Sequence, residues 1–346
     1  MIKNLTLALG SACLFLLVVE ILLRQASFVA TPPLIQPVNK TSPIIHFKPK
    51  HKYVFATEWN GEIIVGHTTN GYGFNTAIEF DRGKVANCVI GDSYVEAMHV
   101  NAEDSFHGIL SGLGFTVYPI GISGSSLSQY VAFAKWAISN FKCKRLLFVI
   151  VINDFDESLI SYKKNPGYHY LDDNNNGELK LIPYQVSGFK SFLRKFALVN
   201  YLYDNLKITG RVNRFINPKR FDSRNADGQG DKLMLSKSAI DYFFHELKTV
   251  NLSSNQMAMV LDGDRHSIYD GYENRKGYDK SAYNYFVARS KENGFSIIDM
   301  QPVFKNTYSK KQKKFNYSFD YHWNEYGHSV VAEEIVRSNL LFRAVD

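Results

Sequence analysis

The chain opens on one long apolar run and then changes character. Leu5 to Leu23 carries a single ionisable group, Glu20, near its far end. At ~1.5 Å per residue a helix of this length just crosses a hydrocarbon layer of ~30 Å. Lys3 and the α-amino group precede the run and Arg24 follows it, which favours an inside N-terminus and places the remainder outside the cytoplasm. A cleaved signal peptide is the competing reading, with Val29-Ala30 as its small-residue site. The expected organisation is a single-pass anchor over residues 1–28 in the inner (cytoplasmic) membrane, a Pro-rich stalk over 29–50, and a periplasmic globular domain over 51–346. Five of the ten prolines lie between Thr31 and Pro49, the composition of an extended spacer.

Beyond the stalk, apolar residues come in short runs suited to strands buried on both faces. Val85 to Ile90, Phe115 to Ile120, Arg145 to Ile152, Gln256 to Leu261 and Phe295 to Ile298 are five such runs. Helix-patterned stretches lie between and after them: Ser128 to Asn140, Lys280 to Asn293 and Ser329 to Leu341. Strand and helix in alternation predict an α/β fold, a doubly wound, three-layer parallel sheet of five strands. The segment from about 155 to 255, between strands three and four, is too long for a crossover and reads as an insertion. It holds a turn at Asp172-Asp173-Asn174-Asn175-Asn176-Gly177 and a helical stretch from Gly188 to Lys207 with Phe189, Phe192, Phe196, Val199 and Leu202 on one face. Basic residues gather there: Lys190, Arg194, Lys195, Lys207, Arg211, Arg214, Lys219, Arg220 and Arg224. They form either a solvated face or a surface for anionic lipid or an acidic polymer.

Composition narrows the classes. The 346 residues are 45% apolar and rich in Phe and Tyr, enough for a sizeable core and unlike a disordered or collagenous chain. A net charge of +7 spread over 40 Lys+Arg and 33 Asp+Glu fits an anionic membrane surface better than nucleic acid. Three cysteines (Cys13, Cys88, Cys143) make no disulfide framework and lack the spacing of a zinc site, so neither metal nor cofactor is implied.

In a doubly wound sheet, ligands bind beyond the carboxyl ends of the strands, so the residues after each run are the ones to inspect. The first run ends in Gly91-Asp92-Ser93, where Ser93 is either a nucleophile presented on a tight turn or a helix N-cap. The second leads into Gly121-Ile122-Ser123-Gly124, a small-residue loop whose backbone N–H groups can approach a substrate closely. The third ends in Asn153-Asp154, a side-chain amide on the same edge. Before the last helix, Asp320-Tyr321-His322 combines a neutral-pH base with a carboxylate able to orient it.

Taken together, these blocks resemble the SGNH hydrolases, the GDSL esterase/lipase family, over about Val85 to Leu341 and outside the insertion. The resemblance implies a flavodoxin-like sheet with Ser93 as nucleophile, His322 as base and Asp320 as acid. It assigns the oxyanion hole to Ser93, Gly124 and Asn153. Val151 stands where the family's third block has glycine, and the fifth block reads D-x-H instead of D-x-x-H, as in proteins resembling the alginate-type O-acetyltransferases. Asp92 and Arg265 are candidate substrate-binding residues, with a salt-bridged turn as the alternative for Arg265. The implied activity is an acyl ester hydrolase or O-acyltransferase acting on an acylated cell-envelope or extracellular glycan. A non-catalytic glycan-binding module and a lipolytic esterase are the competing functions, and the oligomeric state is left open.

Overall fold

The structure is a computed structural model that describes residues 2–172, 177–216, 229–271, 275–341 and 343. Asp173 to Asn176 of the acidic turn, the side chain of Arg214, and Lys219, Arg220 and Arg224 of the basic cluster lie outside the described residues. The chain divides into two compact units.

The first unit comprises residues 1–34, 52–67 and 186–224. Its helix Ile2–Gln25 is long and apolar enough to cross a membrane, and it is exposed from Lys3 to Val18 and half-buried at Val19, Glu20 and Leu23. Strands β1 (Lys52–Thr57) and β2 (Ile63–Thr68) form a two-stranded sheet. The single helix expected over Gly188 to Lys207 is broken into Gly188–Leu193, Ala197–Asn200 and a π-turn at Tyr201–Asn205, followed by the helix Ile208–Ile216. The break has a physical cause. Phe196 takes an extended backbone conformation, and the newly exposed N–H groups of Ala197 and Leu198 donate to the Glu20 carboxylate at 3.0 and 2.9 Å. Glu20 therefore satisfies a helix start that local sequence pattern alone does not reveal. Asn205, fully buried, accepts from the Ala30 N–H at 2.9 Å and donates to the Phe28 carbonyl at 2.7 Å, which ties the chain leaving the apolar helix to the π-turn.

The second unit comprises residues 35–51, 68–185 and 225–346. Five parallel strands, β3 (Val85–Gly91), β4 (Val117–Gly121), β5 (Lys142–Ile150), β8 (Met257–Leu261) and β9 (Ser296–Asp299), lie in the order β4-β3-β5-β8-β9. A separate antiparallel pair, β6 (His169–Asp172) and β7 (Glu178–Leu181), belongs to the insertion. The period-2 alternation of a strand explains why the apolar runs are nearly continuous, since each face of the sheet has its own core. Cys88 and Ile90 join one cluster with residues of the helices Leu127–Asn140, Gln229–Leu247 and Gly277–Glu292. Val89 joins the other, with residues of Phe106–Gly112, Met300–Lys311 and Glu325–Arg337. The result is the expected three-layer, doubly wound α/β arrangement.

Two features depart from the sequence reading. Residues 35–51 are not a free spacer: Val38, Ile44, Ile45 and Phe47 are buried in the first cluster, and Val38 pairs with Tyr184. Apolar residues placed between the prolines give this strap something to bury. Cys88 and Cys143 form a disulfide across the neighbouring strands β3 and β5, with Cα atoms 5.7 Å apart, leaving Cys13 as the free thiol.

Candidate active site

The strand order reverses its direction of growth between β3 and β5, which opens a crevice at the carboxyl edge of the sheet. Gly91 and Gly121 end β3 and β4 side by side in register. A Cβ on Gly91 would meet Val95 Cγ2 at 2.4 Å, and one on Gly121 would meet Val95 Cβ at 2.6 Å. Both glycines let the turn after β3 fold back against the strand ends and raise Ser93 on a short helix, Ser93–Glu96. Asp92 caps that helix by accepting from the Tyr94 N–H at 3.0 Å.

The Ser93 hydroxyl donates to His322 Nε2 at 2.8 Å, although 229 positions separate the two residues. The opposite ring nitrogen, Nδ1, is hydrogen-bonded to Asp320 Oδ1. That carboxylate oxygen also accepts from the His322 backbone N–H at 2.9 Å, so the D-x-H spacing closes a small ring that fixes the imidazole. Burial works to raise the Asp320 carboxyl, but hydrogen bonds and charge from His322 and His99 hold it well below the usual carboxylate range. A stable carboxylate opposite Nδ1 leaves Nε2 to accept the serine proton.

The sequence reading missed His99. Its Nε2 faces the other Asp320 oxygen, Oδ2, at 3.4 Å, and its ring stacks on His322 with centroids 4.2 Å apart and planes 16° apart. The Tyr317 hydroxyl donates to the His99 carbonyl at 2.9 Å and fixes that segment. His99, Asp320 and His322 present ligand atoms within 4.8 Å of one another, the set among the described residues that could hold a metal ion. Here the carboxylate is engaged by both imidazoles and His322 by Ser93.

Gly124 lies in the loop after β4 with φ +82°, a left-handed conformation that glycine adopts without strain. Glu96 accepts from both the backbone N–H and the hydroxyl of Ser123, and the Tyr168 hydroxyl donates to the Ser123 carbonyl at 2.7 Å. The loop is thus clamped from two sides. A third neighbour is Lys163, paired with Glu157, whose Nζ sits 3.4 Å from where a Gly124 Cβ would project. Asn153 is exposed on the 3-10 turn Ile152–Asp154 that follows β5. Among the described residues, neither the Gly124 N–H nor the Asn153 side-chain amide has a protein hydrogen-bond partner.

Asp92 and Arg265, the candidate substrate contacts, are both buried. Asp92 lies beneath Ser93, its carboxyl pushed up to about 6 by burial. Arg265 pairs with Asp262, donates to the Tyr94 hydroxyl at 2.8 Å and reaches the Tyr321 carbonyl. It braces the loop that carries Asp320 and His322, which makes it a salt-bridged turn residue. Trp323, completely buried, anchors the same loop and donates to Asp262 at 3.0 Å. A cavity of about 430 Å³ lined by Phe115, Val336, Asn339, Leu341 and Arg343 opens at the amino-terminal end of β4, away from these groups.

No family model matches the chain, and no curated protein matches it. Solved structures that resemble it include a member of the lipolytic protein G-D-S-L family from Veillonella parvula, at 11% identity and TM-score 0.41 over 73% of this chain and 97% of that one. A lipase/acylhydrolase from Enterococcus faecalis aligns at 11% identity and TM-score 0.41, over 75% of this chain and all of that one. A two-domain esterase active on acetylated mannans aligns at 12% identity and TM-score 0.39, over 75% of this chain and half of that one.

Proposed function

We propose that the chain is a serine-dependent acyl ester hydrolase or O-acyltransferase of the SGNH type, acting on an acylated cell-envelope or extracellular glycan. The observation that carries the proposal is the continuous hydrogen-bond relay from Ser93 Oγ through His322 to Asp320. A structural hydroxyl has no need of a base at 2.8 Å that is itself oriented by a carboxylate.

In the proposed reaction Ser93 Oγ attacks the ester carbonyl as its proton passes to His322 Nε2. The imidazolium is stabilised by Asp320, and the oxyanion by the Ser93 N–H, the Gly124 N–H and the Asn153 amide. Collapse of the tetrahedral intermediate breaks the ester C–O bond, and His322 gives its proton to the departing alcohol. The acyl-Ser93 ester is then attacked by water or by a sugar hydroxyl, with His322 again taking the proton and returning it to Ser93. Water makes the protein an esterase, and a sugar hydroxyl makes it a transferase.

The glycan assignment rests on placement. An N-terminal apolar helix that is retained, with an inside N-terminus, would hold the catalytic unit on the periplasmic side of the inner membrane. A disulfide buried between core strands is consistent with an oxidising compartment. Esters on envelope polysaccharides lie within reach of such a tether. Incubating the full chain with acetylated and unacetylated envelope glycans plus an acetyl donor tests the reading. Acetate release or acetate gain that is lost in Ser93→Ala supports it. Equal turnover by wild type and Ser93→Ala contradicts it.

A further inference from the structure

We propose that the first unit carries a membrane-interface collar: the two amphipathic helices Gly188–Leu193 and Ile208–Ile216, together with Trp59 at the β1–β2 turn, lie in the headgroup region of an anionic bilayer beside the apolar helix. This second membrane contact is independent of the chemistry at Ser93.

The end of the apolar helix fixes the level at which the collar sits. Glu20 receives the N–H groups of Ala197 and Leu198, and Arg24, paired with Glu20, donates to the Lys195 carbonyl at 2.8 Å. Gln25, the last residue of the helix, lies five positions beyond Glu20, about 7.5 Å of rise. Residues 195–198 are therefore held alongside the last turns of the span, at the depth where interfacial helices bury their apolar faces by about 5–10 Å.

The apolar groups held at this level are unburied. Phe189 and Phe192, one turn apart, are 72% and 54% exposed. Ile208, Val212 and Ile216 repeat at the i, i+4, i+8 spacing of a single helix face and are 37%, 47% and 65% exposed. Trp59 is 69% exposed, and the Tyr201 hydroxyl holds its carbonyl at 2.9 Å. In water such a stripe is a liability. At a bilayer interface its Trp and Phe are the favoured residue types.

The charges identify the lipid. Lys190, Lys195 and Lys207 are exposed and interleave with the apolar positions. Arg194 and Arg211 are neutralised internally by Asp204 and Glu58. Three exposed lysines that form no ion pair among the described residues, set beside an apolar stripe, fit acidic headgroups. The pattern also explains why a helix interrupted at residues 194–196 persists on an exposed face, since its partner is the bilayer.

Spin labels on the full chain, reconstituted in phosphatidylethanolamine–phosphatidylglycerol vesicles, test the collar. Labelling native Cys13 reports the span. Single cysteines at positions 189, 192 and 212 in a Cys13→Ala background report the collar, with folding checked by the unfolding temperature. The expected result is that all four sites meet oxygen more readily than a water-soluble nickel chelate, most strongly at Cys13. The preference at 189, 192 and 212 is expected to shrink in Lys190→Glu/Lys195→Glu/Lys207→Glu. Collar sites as chelate-accessible as a free label in water, with Cys13 deep, would overturn the collar and leave the anchor standing. A shallow Cys13 would overturn both. Equal collar depth in vesicles of phosphatidylcholine alone would overturn the electrostatic half.

Discussion

Replacing His99 separates its two contacts, the one with the Asp320 carboxylate and the one with the His322 ring. His99→Phe keeps an aromatic ring against His322 and removes the hydrogen bond to Asp320 Oδ2, whereas His99→Gln keeps an N–H donor and removes the ring. A hydrogen bond to a carboxylate contributes ~1.5–3 kcal/mol. The 3.4 Å separation places this one at the lower end. If the whole of ~1.5 kcal/mol is felt as the imidazolium forms, kcat falls about tenfold in His99→Phe, with KM unchanged. His99→Gln is expected to recover a large part of that loss. The assay is hydrolysis of a chromogenic acetate ester by the full chain in detergent, with unfolding temperatures measured alongside to show that the fold is intact. A His99→Phe variant with wild-type kcat, or one whose loss lies entirely in KM, would refute the proposed assignment of His99 as a positioning residue for Asp320.

Three further outcomes are expected. Replacing Cys88 and Cys143 together by alanine opens a link across a sequence separation of 55 and lowers stability by up to about 4 kcal/mol, read as a fall in thermal midpoint of roughly 10 °C; an unchanged midpoint would show that the bridge does not form. Gly124→Ala is expected to lower kcat by tenfold or more, because the residue has φ +82° and the new methyl faces Lys163 Nζ at 3.4 Å; wild-type turnover would remove Gly124 from the site. Stability is expected to peak near pH 6.5. Burial pushes His107 and His169 down to about 4 and His328 lower still, so they stabilise the fold once the unfolded chain has lost its histidine protons and cease to do so as pH falls. Burial pushes Asp92 up to about 6 and Glu96 to about 7, so their contribution is present at low pH and lost as pH rises through those values. Chemical denaturation between pH 4 and 8 checks the curve, and Glu96→Gln is expected to flatten its alkaline limb; stability that climbs steadily to pH 8 would contradict the sign.

What was legible in the sequence follows from which interactions are local. The core strands of the parallel sheet are covered on both faces, so each reads as an apolar run, and the chemistry-bearing residues follow at the ends of those runs. Ser93 and His322 could be singled out this way because each sits at a strand or helix boundary. His99 could not, since six positions after Ser93 it has no spacing relation to Asp320 and acquires its role only when the chain returns to the sheet edge. The disulfide was equally hidden: Cys88 and Cys143 are neighbours because β3 and β5 pair across an intervening strand in sequence. The break in the helical stretch after Gly188 depends on Glu20, which is far away in sequence and whose carboxylate replaces the lost intrahelical partners. Residues 35–51 misled through composition, because their prolines signal extension but not whether the apolar side chains between them find a surface.

The central claim is that the Ser93 hydroxyl is made nucleophilic by the imidazole beside it. The most direct measurement is intact-mass and peptide mapping of the full chain after exposure to a fluorophosphonate. The account requires one covalent adduct located on Ser93, absent from Ser93→Ala and strongly slowed in His322→Ala. Well-folded wild-type protein that takes up no label, or labelling that persists unchanged in Ser93→Ala, would contradict it.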